Sequence, residues 1–140
     1  MAREGHVELK TICDKIRREF DAKDAAREKG LTRSREVIRN SAASIRHIHR
    51  GEYAEAEKLM AASVELLAEV REALKDHPDV YYAGFVQDAQ KEHAEAHATL
   101  ALVRGEALPD PDTLGVGYAA YLNALGEATG ELRRLSLIHI

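Results

Sequence analysis

The stretch QKEHAEAHATL, residues 90–100, decides how this chain is read. Most of its residues are good helix formers and none is Gly or Pro. Yet Glu92 and Glu95 stand where a plain packing helix would carry apolar side chains. At ~100° per residue the two carboxylates lie ~60° apart, with Asp88 between them in angle, so they share a face. The apolar stripe of the same helix is Tyr82, Phe85, Ala89, Ala96, Leu100 and Val103, and Glu92 falls inside it. A carboxylate on a buried face is costly unless it is paired, protonated or bound to a metal.

A second acidic pair, Glu127 and Glu131, stands at a spacing of four in the segment GEATGELRR, with Ala120 and Ala124 on the same side. Small neighbours leave room for an ion, and Gly126 and Gly130 would admit another helix. Two helices that each present two carboxylates can form an oxygen-only site, which suits Mg²⁺ or Mn²⁺. The plain alternative is a set of buried glutamates paired with Arg104, Arg133 or Arg134. His93 and His97 have the spacing of a helical metal pair but point ~100° or more away from Glu92. With no third ligand nearby they read as surface or interface histidines.

Around these segments the chain reads as all-α. Its 140 residues suit one domain, it contains only 3 prolines, and no strand alternation is evident. About five helices are expected in an antiparallel bundle. A short first helix ends near Phe20, before Asp21 and Asp24, which resemble an N-cap pattern; a long second runs to Arg50 and is capped by Gly51. The third runs from about Tyr53 to Asp76, with Glu65, Glu69, Glu72 and Asp76 on its solvated side. After His77 and Pro78 a fourth starts near Asp79 or Val80 and ends near Arg104, and a fifth begins at Tyr118. Cys13, among Leu9, Ile12 and Ile16, reads as a small core residue, and a lone cysteine suits a reducing, cytoplasmic setting. No apolar run approaches a membrane span, and MAREGHVELK lacks the apolar segment of a signal peptide.

The charge is divided along the chain. Residues 1–50 carry 13 Lys and Arg against 8 Asp and Glu, while residues 51–140 carry 7 against 16. In the basic half, Arg35, Arg39, Arg46 and Arg50 fall within one ~60° stripe of the second helix. Arg46 and Arg50 have no acidic residue three or four places away, so an anionic partner accounts for the row better than a balanced solvated face. Phosphate is the natural candidate.

Three segments resemble the translin family, particularly its members similar to translin-associated factor X: SREVIRNSAASIRHIHRGEYAEAEKLM at residues 34–60, HPDVYYAGFVQDAQKEHAEA at 77–96 and LPDPDTLGVGYAAYLNALGEATGELRR at 108–134. The resemblance implies an all-helical translin-type bundle, a ring or shell of subunits enclosing RNA and, in the factor X branch, a metal-dependent endoribonuclease. Carried over by position, the family's carboxylates fall on Glu92, Glu95, Glu127 and Glu131, which would hold Mg²⁺ or Mn²⁺ and cleave single-stranded RNA drawn in by Arg35, Arg39, Arg46 and Arg50. Glu127 stands where the family usually has Asp, and His93 where it often has Tyr. The alternative is a non-catalytic, translin-like scaffold that binds RNA or single-stranded DNA as a homo-oligomer. A ferritin-like di-metal oxidoreductase ranks last, because the sequence contains no Glu-x-x-His. The family's closing helices are not matched. Residues 135–140, LSLIHI, resemble read-through of a sequencing adapter, so the expected domain is residues 1–134 of an incomplete translin-like unit.

Overall fold

The computed structural model describes residues 2–138, and all its regular structure is helical: α1 (Ala2–His49), α2 (Tyr53–Leu74), α3 (Pro78–Tyr81), α4 (Phe85–Arg104), α5 (Pro111–Leu114) and α6 (Tyr118–Ile138). The expected break after Phe20 does not occur, and α1 is one helix of 48 residues. Residues 20–30 contain Ala, Lys, Arg and Glu and no proline, so helix propagation has no barrier there. Asp21 and Asp24 are simply two exposed side chains on the helix. Gly51, with φ of 76°, ends α1 at the expected place.

At ~1.5 Å per residue α1 is about twice as long as α2, and α2 packs along its second half. Its first tertiary ties are Lys23 Nζ to Asp79 Oδ2 at 2.7 Å and Ala26 against Val70, Leu74, Val80 and Val86. Before them Leu9, Ile12, Cys13, Ile16 and Phe20 are exposed, so Cys13 is not a core residue. From there on α1 and α2 run antiparallel at close range. A Cβ added to Gly30 would sit 2.8 Å from Leu74 Cδ1, and the buried Ser34, Ser41, Ser44 and Ser63 supply small side chains to the core.

The core is built in layers along this hairpin. Val37, Leu67 and Ala89 form one layer, and Ile45, Ile48, Ala56, Met60, Ala96 and Leu100 the next. These pairings set α4 parallel to α1 and antiparallel to α2. The expected fourth helix is split: α3 is a single turn after Pro78, and Gly84, at φ 123°, re-aims the chain into α4. Gly105 and Gly115, both at φ 68°, bracket the crossover that carries the chain back along the bundle. As a result α6 lies parallel to α4, with Gly117 beside Gln90 at one end and Glu131 beside His49 at the other. Ala120, Ala124 and Ala128 form its buried edge. The acidic row of α2 is exposed, as expected. No described helix is long and apolar enough to cross a membrane.

Candidate metal centre

Along the seam between α4 and α6, Glu92, Glu95 and Glu127 meet: one oxygen from each lies within 4.8 Å of the others. The Ala edge of α6 permits this approach, because Ala124 packs on Ala94 and brings the next turn of α6 beside Glu95. The buried carboxylate is Glu95, at 4% exposure, while Glu92 is half-buried and Glu127 exposed. The sequence stripe places Glu92 at the core instead. That difference arises because α6 lands on the flank of α4 nearer Glu95, a flank the stripe alone does not mark.

Burial raises the Glu95 pKa from its ordinary value to about 8, aided by its hydrogen bond to Glu127 and by the charges of Glu92, Glu127 and Glu131. Glu127 moves the other way: hydrogen bonds with Glu95 and Lys91 hold it below the usual carboxylate range. At neutral pH and without a cation the pair therefore shares one proton, resident on Glu95. Lys91 completes the cluster, with Nζ 3.0 Å from Glu127 Oε1 and 3.6 Å from Glu92 Oε1. Its own pKa is raised by the hydrogen bond to Glu127.

Glu131 does not join the other three. Its Oε2 lies 2.9 Å from His49 Nε2, and Arg134 Nη1 lies 3.0 Å from its Oε1. Its charge still reaches Glu95. Of the three arginines considered as partners, then, Arg134 pairs with a site glutamate, while Arg104 pairs with Glu57. His49 and Lys91 are the site neighbours that sequence reasoning missed. Lys91 adjoins Glu92 in sequence and was open to notice; His49, 82 residues from Glu131, carried no local signal.

His93 and His97 are not surface residues. His93 is fully buried, and the two rings meet edge to face with centroids 4.5 Å apart. Burial, then His97 and Arg71, lowers the His93 pKa to about 3, and burial lowers that of His97, so both are neutral. Neither joins the carboxylate group.

Arg35, Arg39, Arg46 and Arg50 are all exposed, on the side of α1 opposite Val37, Ser41, Ser44 and Ile48. Arg50 lies 4.0 Å from Glu52, and the other three form no ion pair among the described residues. On the helical wheel the stripe begins ~40° to 60° from His49, the residue that reaches α6.

No protein-family profile and no curated protein matches the chain. Solved structures do. The fold is similar to that of apo-NeC3PO, at 24% identity and TM-score 0.82, over 91% of this chain and 67% of that one. AfC3PO is matched at 36% identity, and AfC3PO in complex with duplex RNA at 35%; each has TM-score 0.82 over 91% of this chain and 65% of the other. This chain thus spans about two thirds of the length of those structures. The likeness extends over 91% of this chain, and the shared translin-type fold supports membership of the translin family.

Proposed function

We propose that the protein is an RNA-binding endoribonuclease whose Glu92, Glu95 and Glu127 hold Mg²⁺ or Mn²⁺ and whose substrate is single-stranded RNA. The observation that carries this reading is the crowding of two carboxylates, Glu92 and Glu127, around a buried third, Glu95, kept protonated near neutrality. Oxygen-only donors of this kind match hard divalent cations. Bound there, such an ion would acidify an attacking water and offset charge on the phosphate. Glu95 must give up its proton to act as a ligand, and Glu127, already ionised, accepts the first share of positive charge. Glu131, anchored by His49, adds negative potential from one turn away. The exposed arginines of α1 supply phosphate contacts, and binding governed by them is electrostatic and largely blind to sequence. AfC3PO in complex with duplex RNA supports the RNA part of this reading. The family resemblance adds a homo-oligomer, with single-stranded DNA as a further partner.

The test is incubation of end-labelled single-stranded RNA with the protein, with Mg²⁺, with Mn²⁺ and with a chelator. Cleavage should require the ion and leave no cyclic phosphate, since water rather than the ribose hydroxyl attacks. Products ending in cyclic phosphate, or equal cleavage in chelator, would remove the metal from the chemistry.

One observation favours a second reading, a non-catalytic RNA-binding scaffold: Lys91 already places an ammonium between Glu127 and Glu92. Lys91→Gln separates the two. If the cluster serves a metal, the variant binds Mn²⁺ at least as tightly as the parent. If Lys91 is the resident cation of a structural cluster, the variant loses stability and added Mn²⁺ does not restore it.

A further inference from the structure

At the N-terminal ends of α4 and α6, away from the carboxylates, two adjoining recesses share the rings of Tyr81 and Tyr82. One, of about 480 Å³, is also lined by Tyr118, Gly117 and Gln90. The other, of about 260 Å³, is lined by Arg71 and Lys75. The chain has only 5 tyrosines, and three of them stand here. Tyr82 is 73% exposed and Tyr118 65%, although an aromatic ring left in water forgoes the burial it could gain elsewhere.

These rings are held in place. Tyr81 Oη accepts a hydrogen bond from Gln90 Nε2 at 3.0 Å, and Gln90 Oε1 accepts one from Gly117 N at 3.0 Å, which ties α3, α4 and the start of α6 together. Tyr81 in turn meets Tyr82 edge-on, with centroids 4.9 Å apart and planes at 78°. Tyr118 Oη donates to Asp112 Oδ1 at 3.0 Å. On the cationic side Arg71 Nη1 donates to Gly115 O at 3.4 Å, which keeps the guanidinium at the junction of the two recesses. Among the described residues Lys75 is engaged only by Glu72, its neighbour three places before on an exposed helix face, a pairing of small worth.

We propose that this paired recess binds a nucleotide, its base in the tyrosine compartment and its phosphate against Arg71 and Lys75. Aromatic rings accept any base by its π-face, and a guanidinium beside an ammonium fits a phosphate. The site takes either a free nucleoside monophosphate or the terminal nucleotide of an RNA strand; both present the same base and phosphate. It uses none of the carboxylates and needs no divalent cation, so it stands or falls separately from the nuclease reading.

The experiment is a titration, with chelator present, of the protein with AMP, adenosine and inorganic phosphate, followed by tyrosine fluorescence and by NMR. AMP should bind more tightly than either fragment. Tyr82→Leu should weaken AMP on the order of tenfold or more, and Tyr82→Phe should restore it, since stacking needs the ring and not the hydroxyl. Lys75→Ala should weaken AMP while leaving adenosine unchanged. Both positions are exposed, so the variants should fold, with circular dichroism as the check. A short 5′-phosphorylated RNA then separates the sources: displacement of AMP assigns the site to strand ends, and failure to displace it assigns the site to the free nucleotide. No AMP binding at millimolar concentration, equal affinity for AMP and adenosine, or undiminished affinity in Tyr82→Leu would each overturn the proposal.

Discussion

Glu127 and Glu131 lie one turn apart on α6, yet they live in different chemistry. Glu131 has a cationic or hydrogen-bonding partner on each oxygen, from His49 and Arg134. Glu127 has Lys91 on one side and two further carboxylates on the other. A carboxylate whose lone pairs are all answered by protein is finished as structure. One that is crowded by its own kind retains capacity for a cation, and the crowding costs stability until the cation arrives. The difference divides the acidic set between holding the bundle together and doing chemistry in it.

Glu95→Gln should give the largest effect. The amide keeps the volume and removes a ligand charge, so metal-dependent cleavage should fall by about a hundredfold or more while RNA affinity is kept. Apo stability should stay about level near neutral pH, where Glu95 already carries its proton, and exceed that of the parent above about pH 8, where the parent alone gains a buried charge among like charges. Thermal melting of the apo proteins, set beside cleavage rates, checks both halves. A Gln variant that melts earlier and, while folded, still cuts RNA would place Glu95 on the structural side of the division.

His49→Ala should act oppositely, on stability more than on the metal. It strips Glu131 of a 2.9 Å hydrogen bond in a largely buried setting, a loss of about 1–3 kcal/mol. His49→Gln, which can still donate, should recover part of it. If Glu131 instead enters the metal cluster as a fourth ligand, Glu131→Gln should weaken Mn²⁺ binding as strongly as Glu95→Gln, and the division between the two glutamates collapses.

Much of this was legible in the chain. The acidic pairs, the alanine edge of α6, the cap at Gly51 and the exposed arginine row are local patterns, and local patterns survive folding. What was not legible depended on where a distant helix lands. Leu9, Ile12 and Ile16 repeat at helical spacing like any core stripe, and nothing nearby tells that α2 is too short to cover them. His93 and His97 read as surface or interface residues because no third ligand stands near them in sequence; in the fold α4 packs against α1, α2 and α6 and buries His93 completely. The partner of Glu131 sits at the far end of α1, a contact no spacing rule reaches.

The pH dependence of the apo fold sharpens the same contrast. The Glu95 pKa in the folded protein is about 8 against an ordinary 4.5, so between those values the folded chain holds a proton that the unfolded chain has released. Stability must then fall as pH rises through that interval. Glu95→Gln should flatten the slope, and saturating Mn²⁺ should oppose it, since the ion takes the place of the proton. Melting temperatures across the interval, with and without Mn²⁺, measure this directly. A slope unchanged in Glu95→Gln would assign it to another group.

The smallest expected effect concerns RNA capture. Arg46 precedes His49 by three residues on α1, but its side chain is exposed, ~60° round the helix, and forms no ion pair among the described residues. Removing it should leave both glutamate environments as they are. If Arg46 contacts a phosphate, Arg46→Ala should weaken RNA binding by a similar factor for every sequence and lower the slope of log affinity against log salt by about one. Cleavage at saturating RNA should not change, because the loss is in binding and not at the reacting phosphate. Filter binding across a salt series, paired with single-turnover cleavage at saturation, gives both numbers from one preparation. An unchanged salt slope would remove the arginine row from the RNA surface, and a drop in saturated cleavage would show that α1 transmits the loss of Arg46 through His49 to Glu131.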